Sequence, residues 1–465
     1  MLGRSQVQLG AGARVAVIGG GPAGSYFALS LFALARRTGI SSPQVVIFEH
    51  KHFSEAGPRG CNSCAGIVQS CMLEKVARLG VPLGEGVVQG HVRDYIYHTR
   101  RGESLCIRSR PSAWPIIATY RGGGPAFTTP QGTLSYDDYM LGVAEERGAR
   151  IIHGTVTGLR LAERLADPVH VECRRNGEVT SEAFDFVVCA PGLHPRSMEL
   201  LEGLGFGYVR PRTVKAFQAE LPVPRELLDR VAGDVNVFGP CMPGLAFAAL
   251  VPKQGFLTLS LVGFRDLDRN DLTRFLSLPW VRDLLPEGWE PPRRLCQCHP
   301  RVALTSSRQP YTDRLVVIGD ANCGRLYKGG IDSAYITATF AAEAALLHGV
   351  DRATLRRHFH ARCQRHIGWD NCFGEVIFAA SKWMGHWSIL EEAQLEVARR
   401  GGAGADLQQD ILWGLFTGEA TYASLVLQAL NPVLVLALAR AAVMCGLGLG
   451  GSGRGRGKAS SHPVP

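Results

Sequence analysis

Hydrophobic and polar positions near the start of the chain predict a strand, a helix and a second strand in close succession. Residues 15–18 are apolar and mostly β-branched, which is typical of a buried parallel strand. Residues 22–37 place apolar side chains at helical spacing, and residues 45–48 return to the strand pattern. This order predicts a βαβ unit at the head of an α/β fold.

Three glycines separate the first strand from the helix in G-x-G-x-x-G spacing: Gly19, Gly21 and Gly24. The first permits a tight turn, the second removes a Cβ where a pyrophosphate approaches, and the third lets the helix pack closely on the strand. Free N–H groups and the positive end of the helix favour phosphate there. We therefore expect a dinucleotide site, with Pro22 and Ala23 as further contacts at the start of the helix.

An acidic residue follows at the end of the second strand. Glu49 comes 25 residues after Gly24. A carboxylate at that position can accept hydrogen bonds from the adenosine ribose hydroxyls. The alternative is a structural βαβ turn with an incidental glutamate, and the complete spacing favours the dinucleotide site.

The next part of the chain mixes helix and hairpin patterns. Apolar periodicity predicts a helix over residues 67–79, and residues 92–108 have the pattern of a hairpin. Asn176-Gly177 precedes a strand-like run over residues 179–188. Asn-Gly between two such runs is the strongest short hairpin signal that a sequence offers.

The second half of the chain predicts a further sheet and then a helical region. Residues 214–263 contain several strand-like runs, which would form a sheet distinct from the first. Residues 314–318 return to the β-branched pattern, and a long helix is predicted over residues 331–348. Residues 353–430 are mostly of helical pattern.

The last apolar stretch admits three interpretations. Asn431-Pro432 is a favourable start for a helix, and residues 433–449 are apolar except for Arg440. A membrane-spanning helix needs about 20 such residues, and glycines interrupt this stretch after Cys445. The pattern therefore favours a buried or oligomer-contact helix. A surface-lying membrane anchor, with a snorkelling arginine and a basic tail, is the main alternative.

The composition is that of a folded protein and excludes several classes. The 465 residues, 46% hydrophobic and 20% charged, are enough for two or three domains. The net charge of +9 is mild and no basic stripe alternates with aromatic residues, so we expect no nucleic-acid partner. Thirteen scattered cysteines do not indicate a disulfide framework, and residues 1–13 lack the pattern of a signal peptide. We expect a cytoplasmic protein, with peripheral membrane contact through the last helix and basic tail as a further possibility.

Three segments, taken in order, resemble one family. They are the glycine motif with Glu49, the strand that ends at Gly192, and Gly319-Asp320 with the helix behind it. Over about residues 13–350 the chain resembles the FAD-dependent oxidoreductases of the para-hydroxybenzoate hydroxylase type, and within them the geranylgeranyl reductase branch. The resemblance implies FAD as cofactor. It also implies an α/β fold with a discontinuous Rossmann-like FAD-binding domain, an inserted β-sheet substrate domain and a C-terminal helical region.

We expect these units to divide the chain as follows. The FAD-binding domain takes residues 13–90, 133–200 and 312–350, the substrate domain takes 91–132 and 201–311, the helical region takes 351–450, and a flexible basic tail takes 451–465.

The resemblance also implies flavin contacts. In that family a Gly-Asp pair after the late strand binds the ribityl and pyrophosphate region, which implies Gly319 and Asp320 here. A carboxylate would accept charge-assisted hydrogen bonds from ribityl hydroxyls, and an ordinary turn acid is the alternative for Asp320. The loop that opens the next helix would lie under the isoalloxazine through Gly329, Gly330 and Ile331. The helix N-terminus and the charge of Lys328 would then stabilise the anionic reduced flavin.

Two segments depart from the family pattern. The Asp-Gly of the central strand is replaced by Ala190-Pro191-Gly192, and proline offers neither a carboxylate nor an N–H. This change argues against a conventional NADPH-driven hydroxylase. The aromatic motif of the reductase substrate domain corresponds to residues 244–252, where Phe247 is the aromatic that remains. We expect a substrate pocket of similar position and different shape, with Phe247 in its wall.

A cysteine loop stands where reductases of this branch carry a cysteine-glycine segment near the flavin. Cys61 or Cys64 could relay a proton or cycle as a disulfide, and Cys64 lies just before the predicted helix, where its pKa would fall. Ordinary loop thiols are one alternative. The other is a metal or cluster site drawing on Cys61, Cys64, Cys71, Cys296, Cys298 and His299. The pattern favours flavin-side cysteines, and we expect no metal.

The resulting hypothesis is an FAD-dependent reductase of carbon–carbon double bonds in an apolar, prenyl-like or polyene substrate. The electrons would come from NADPH or from a protein donor. The first alternative is a flavin-dependent monooxygenase of an aromatic or polycyclic natural product, and the second is a non-catalytic flavoprotein scaffold. Trp383, His386 and Trp387, at helical spacing, are more typical of a core stripe than of a substrate wall.

Overall fold

The computed structural model describes residues 8–110, 112–127, 132–384 and 388–447. Its strands, in chain order, are β1 (Arg14–Ile18), β2 (Gln44–Glu49), β3 (Ile67–Val68), β4 (Gly90–Val92), β5 (Asp94–His98), β6 (Ser104–Arg108), β7 (Ile116–Ala118), β8 (Arg150–His153), β9 (Thr155–Arg160), β10 (Val169–Arg175), β11 (Glu178–Phe184), β12 (Phe186–Cys189), β13 (Thr213–Lys215), β14 (Phe217–Pro222), β15 (Asp234–Phe238), β16 (Leu245–Lys253), β17 (Phe256–Gly263), β18 (Cys296–Cys298), β19 (Arg301–Ala303), β20 (Tyr311–Thr312) and β21 (Leu315–Val317). Its helices are α1 (Pro22–Thr38), α2 (Ser70–Arg78), α3 (Tyr136–Glu146), α4 (Pro195–Gly203), α5 (Arg225–Arg230), α6 (Arg269–Leu276), α7 (Pro279–Arg282), α8 (Gly330–Glu343), α9 (Arg352–Leu355), α10 (Ala361–Cys363), α11 (Trp369–Met384), α12 (Ser388–Arg400), α13 (Ala403–Thr417), α14 (Tyr422–Ala429) and α15 (Pro432–Gly446).

The first βαβ unit forms the centre of a six-stranded sheet. The strand order is β20-β21-β12-β1-β2-β8, and every pair is parallel except β20 with β21. Helices α1, α3 and α8 pack on one face and bury the central strands, which is why those strands are apolar on both sides. The carboxyl ends of β1, β2, β12 and β21 meet at one edge, where open α/β sheets bind their ligands.

A three-stranded antiparallel sheet, β9 to β11, covers the other face of this sheet. Asn176 and Gly177 both have positive φ, 50° and 88°, and they form the predicted tight turn between β10 and β11. The run over residues 179–188 is not one strand. Asp185 interrupts it by hydrogen bonds with the backbone of Arg14, so that β11 stays in the small sheet and β12 joins the large one.

A second large sheet has seven strands in the order β18-β14-β17-β16-β15-β5-β6. Its strands pair antiparallel except β15 with β5. Helix α6 and its neighbours bury one face. Part of the other face packs against α12 and α13, whose Leu395, Leu412 and Trp413 contact Tyr95 and Val235 in a shared core. The predicted α/β fold with a second sheet and a C-terminal helical region is confirmed.

Two predicted helices have different bounds. The helix expected over 67–79 begins only at Ser70, because Ile67 and Val68 pair with β7 and extend a sheet instead. The helix expected over 331–348 is α8, and its last turn, residues 344–348, widens to π geometry.

The C-terminal helices leave apolar side chains outside. In α15, Asn431 caps the first turn, and Leu434 and Ala441 are buried beside α12. Trp383, expected in a core, is exposed on α11. His386, Trp387 and the tail at 451–465 lie outside the described residues. In the described part of the chain, no single helix is both long and apolar enough for a membrane span, although α14 and α15, bent by 63° at their junction, reach that threshold as a pair.

Candidate functional site

One cavity of about 1520 Å³ starts at the carboxyl edge of the six-stranded sheet and continues between the seven-stranded sheet and the C-terminal helices. Sites for single small ligands usually occupy about 300–1,000 Å³. Polar residues and glycines line the sheet-edge end, and aliphatic and aromatic side chains line the other end. The sequence-predicted positions that line it are Gly19, Gly21, Pro22, Ala23, Glu49, Cys64, Phe247, Gly319, Asp320, Lys328, Gly329, Gly330 and Ile331.

The glycine loop has the close contacts that its spacing predicts. Gly19 has φ of 105°, and a Cβ there would lie 2.3 Å from the carbonyl oxygen of Ala190. A Cβ on Gly24 would lie 1.9 Å from the carbonyl oxygen of Gly19. Gly24 is therefore a packing position behind the loop, whereas Gly19 and Gly21 line the cavity.

The N-terminus of α1 faces the cavity. Gly21 is the N-cap, no described side chain caps this end, and the first turn contains no Asp or Glu. Four N–H groups at a helix start need partners, and the positive end of the dipole favours an anion. The end of α1 can thus hold a phosphate group.

Glu49 holds the glycine loop in place. Its Oε2 accepts a hydrogen bond from the N–H of Gly20 at 2.7 Å, and its Oε1 accepts one from the N–H of Lys51 at 2.8 Å. Burial acts to raise the pKa of Glu49, but the bonds from His50, Lys51 and Gly20 outweigh it and hold the pKa below its usual value. The carboxylate stays ionised and keeps acceptor sites for a ribose hydroxyl.

Basic side chains gather at the same end of the cavity. The cavity is lined there by His50, Lys51, Arg174, His194 and Arg196. Burial and the nearby positive charges of His50, Lys51 and Arg196 lower the pKa of His194, which favours its neutral form. The charges of Lys51, Arg174 and Arg196 favour an anionic group there. No local motif predicts this group of residues, because β2, β10 and α4 bring them together from distant parts of the chain.

Asp320 lies deep in the cavity with no hydrogen-bond or ion-pair partner among the described residues. Its carboxylate is beside Gly324 and Gly330, where a Cβ would come within 2.9 and 3.3 Å of the carboxylate oxygens. Burial raises the pKa of Asp320, and the charge of Arg121 partly offsets this rise. Asp320 is half-buried, and a carboxylate partly removed from water without a partner costs stability, so this group fits a ligand that donates hydrogen bonds, such as a polyol.

The loop before α8 brings a second helix N-terminus to the cavity. Gly329 has φ of 67° and is the N-cap of α8, with no side-chain cap among the described residues. Lys328 donates a hydrogen bond to the carbonyl oxygen of Leu415 in α13. Burial, aided by the charge of Arg325, lowers the pKa of Lys328 to about 7. The lysine is therefore poised between its charged and neutral forms near neutral pH.

The two loop cysteines face different spaces. Cys64 lines the main cavity, whereas Cys61 lines a small separate pocket together with Cys296 and Cys298. Of the two residues between them, Ser63 has φ of 51°. Burial raises the pKa of the Cys61 thiol to about 11. The expectation that Cys64 precedes a helix is wrong, since β3 intervenes and α2 begins at Ser70.

The metal alternative gains no support from the described part of the chain. Among those residues no group of three or more His, Cys, Asp or Glu side chains is arranged to hold a metal ion.

A buried ion pair supports the wall of the cavity near the cysteine loop. Arg121, which lines the cavity, pairs with the buried Asp137 through two hydrogen bonds. Asn62 donates to the same carboxylate at 2.5 Å, and Lys51 donates to the carbonyl oxygen of Cys61 at 2.7 Å. No local motif in the sequence predicts this network.

The far end of the cavity is mostly apolar, with Glu391, Gln394 and Gln408 as polar side chains in its wall. Phe247, on β16, lines it where a register shift follows Leu245. The remaining walls come from β5, β15 and helices α11 and α13 to α15, with side chains that include Val235, Val237, Phe238, Ile411, Leu412, Leu415, Phe416, Leu425, Val426, Leu434 and Leu438. We call this end the apolar chamber.

No family model matches the sequence, and no curated protein matches it. Solved structures do match in fold. A geranylgeranyl bacteriochlorophyll reductase-like protein from Thermoplasma acidophilum is 14% identical, with TM-score 0.61, over 92% of this chain and 95% of that one. A flavoprotein/dehydrogenase from Cytophaga hutchinsonii is 15% identical, with TM-score 0.60, over 94% and 99%. A p-nitrophenol 4-monooxygenase from Pseudomonas putida is 15% identical, with TM-score 0.53, over 96% and 99%.

The chain shares the fold of these three proteins, one of which is described as a flavoprotein/dehydrogenase. At these identities the likeness extends to the fold and not to a substrate or a reaction. One of the proteins that share the fold is described as reductase-like and another as a monooxygenase.

Proposed function

We propose that this protein is an FAD-dependent oxidoreductase that reduces carbon–carbon double bonds of an apolar, prenyl-like or polyene substrate. The observation that carries the proposal is the continuity of one cavity, from the glycine loop and Asp320 into the apolar chamber. A dinucleotide and a long apolar ligand can occupy its two ends together. The polar end excludes a hydrocarbon, and the apolar end excludes a second nucleotide.

The residues of the polar end fit FAD. The N-terminus of α1 and the cationic side chains around His194 would hold the pyrophosphate, and Glu49 would accept from the adenosine ribose. Asp320 would accept from ribityl hydroxyls, which would give its carboxylate the partners it lacks. Gly329, Gly330 and Ile331 would place backbone N–H groups at the α8 N-terminus beside the ring system.

When bound and reduced, FAD supplies the hydride equivalent for the reaction. Saturating one double bond also takes one proton. The Cys64 thiol lines the cavity, so it can donate that proton to the substrate and regain it from water. The walls of the chamber orient the hydrocarbon and exclude water from the reacting carbons.

Lys328 would act through its charge. Its protonated form near the α8 N-terminus would stabilise negative charge on a reduced ring system. Its bond to Leu415 ties this position to α13, which also lines the chamber. A substrate that contacts α13 would therefore influence the position of Lys328.

The first experiment is an anaerobic absorbance spectrum of the purified protein, recorded before and after NADPH and then dithionite. We expect a yellow protein, and bleaching by dithionite alone would indicate a protein electron donor. The reduced protein is then mixed anaerobically with a lipid carrying an unsaturated prenyl chain. Return of the flavin colour, with a product two hydrogens heavier, supports the proposal.

Other outcomes of the same experiment favour the alternatives. Reoxidation that needs oxygen and yields a product one oxygen heavier indicates a monooxygenase, the class of one fold neighbour. Flavin that no physiological donor reduces favours a non-catalytic flavoprotein. A colourless protein that takes up no FAD overturns the proposal altogether.

A further inference from the structure

The apolar chamber opens to the outside between α11 and the α14–α15 pair. Around the apolar chamber, four of the residues that line the cavity are themselves exposed: Val376 and Ala380 on α11, and Ala429 and Leu430 at the end of α14. We call this opening the mouth. An apolar ligand that reaches the mouth from bulk water must first pass the outer surfaces of these three helices.

That outer surface is rich in apolar side chains, although α11 also exposes Glu375 and Lys382. Most large apolar side chains that are more than half exposed lie on these helices or at their ends, among them Trp369, Trp383, Leu427, Leu430, Leu436 and Val443. Elsewhere in the described chain only Phe127 and Val179 reach that exposure. Soluble proteins rarely expose a contiguous apolar patch without a partner for it.

We propose that this surface docks on a lipid bilayer and that the mouth takes the apolar substrate directly from the lipid. This inference rests on the proposed function for its substrate class, but the docking itself requires no flavin. A bilayer is the phase in which a long hydrocarbon is dissolved, so a mouth lying on it shortens the path through water.

The shape of the helix pair fits a position in the bilayer interface. At about 1.5 Å per residue, the 15 residues of α15 reach about 22 Å, which is less than the roughly 30 Å hydrocarbon core. The 63° bend separates α14 from α15, so that neither helix can span alone. A helix that is too short to span and that packs one apolar side on the protein can lie along an interface with its other apolar side in the lipid.

The charges and aromatic residues of the surface agree with this position. Helices α14 and α15 contain no acidic residue, and their one charged side chain is the exposed Arg440. Trp369 and Trp383 are of the type that favours the boundary between lipid headgroups and hydrocarbon. A second copy of the chain seated here would cover the mouth, which makes it the less favourable occupant.

The test is flotation of the complete protein with vesicles of phosphatidylcholine and phosphatidylglycerol. The variant is Leu427→Glu with Leu436→Glu, two exposed positions that do not line the cavity. The matched control is Phe127→Glu with Val179→Glu, which adds the same charge on another surface. We expect the unmodified protein and the control to float with the vesicles, and the L427E/L436E variant to float at least tenfold less.

Two results would overturn the inference. One is unmodified protein that stays with the soluble fraction at low salt. The other is a dimer in size-exclusion chromatography that L427E/L436E converts to a monomer, without flotation of either, because the surface then belongs to a second copy. Flavin absorbance in each fraction separates this test from the proposed function: colourless protein that floats retains the docking surface while the FAD proposal fails.

Discussion

The side-chain nitrogen of Lys328 donates a hydrogen bond to the carbonyl oxygen of Leu415, 87 residues away in the sequence. The contact joins the loop before α8 to α13, and so links the polar end of the cavity to the apolar chamber. Because burial lowers the pKa of Lys328 to about 7, with Arg325 contributing, its charge changes close to neutral pH.

Lys328→Met should lower the reduction potential of the bound flavin. The protonated lysine would stabilise the anionic reduced form, and its loss removes that stabilisation. We expect a shift of about 30 mV, which corresponds to about 1.4 kcal/mol for a two-electron couple. The measurement is redox titration against reference dyes at pH 6.

The difference in reduction potential between K328M and the unmodified protein should depend on pH. As the pH rises from 6 to 8 through the lysine pKa, the unmodified protein loses the positive charge, so its potential should approach that of the variant. The exposed Lys215, replaced by Met, serves as control and should leave the potential unchanged at both pH values. A constant gap between K328M and the unmodified protein across this range would count against a titrating lysine.

Gly24→Ala should prevent formation of the dinucleotide site. The new Cβ would lie 1.9 Å from the backbone oxygen of Gly19, a contact that only movement of α1 or the loop can relieve. We expect loss of flavin from the purified protein and a lower melting temperature. Gly142→Ala, in the interior of α3 with no atom within 4 Å of the new Cβ, should instead stabilise by about 0.5–1 kcal/mol. Retention of flavin by G24A would contradict the assigned role of this position.

Local spacing accounts for what the sequence could predict. The glycine loop, Glu49 and the Asn176-Gly177 turn each depend on residues close together in the chain, where backbone geometry decides the structure. Asp320 was found through a resemblance in the order of motifs, and its isolation from partners could not be read from the sequence.

The remainder of the site depends on distant contacts. Arg121 meets Asp137 only because the chain brings β7 beside α3, and the apolar chamber is closed by helices about 150 residues beyond β16. The separation of the two cysteines depends on the single left-handed residue Ser63. A sequence pattern contains no signal for such a turn, so both thiols were expected at the same place.

Cys64→Ser should lower turnover without releasing flavin. Cys64 lines the cavity, and general acid groups contribute about 10²–10⁴-fold to rates. Serine is a far weaker acid, so we expect a decrease of roughly 100-fold in the anaerobic reoxidation rate of the reduced flavin by a prenyl lipid. Cys61→Ser is the matched control, because Cys61 faces the separate pocket and should have little influence on the rate. Equal rates for C64S and the unmodified protein would exclude the thiol as the proton source.

Asp320→Asn should weaken flavin binding while stabilising the protein without flavin. Loss of charge-assisted hydrogen bonds costs about 1.5–3 kcal/mol, or roughly 10–100-fold in the dissociation constant. In the flavin-free protein, burial raises the pKa of Asp320, so ionisation opposes folding. This penalty is absent at low pH, grows as the pH rises above the unfolded pKa of about 4, and is complete above the raised folded pKa.

The melting temperature of flavin-free D320N should therefore exceed that of the unmodified apoprotein at pH 7, and the difference should shrink towards pH 4. Asp229→Asn, at an exposed position, should change neither the melting temperature nor the flavin affinity appreciably. Opposite effects of one substitution on apoprotein stability and on flavin affinity would distinguish a carboxylate kept for its ligand from an ordinary turn acid. For a turn acid, the asparagine would leave flavin affinity unchanged.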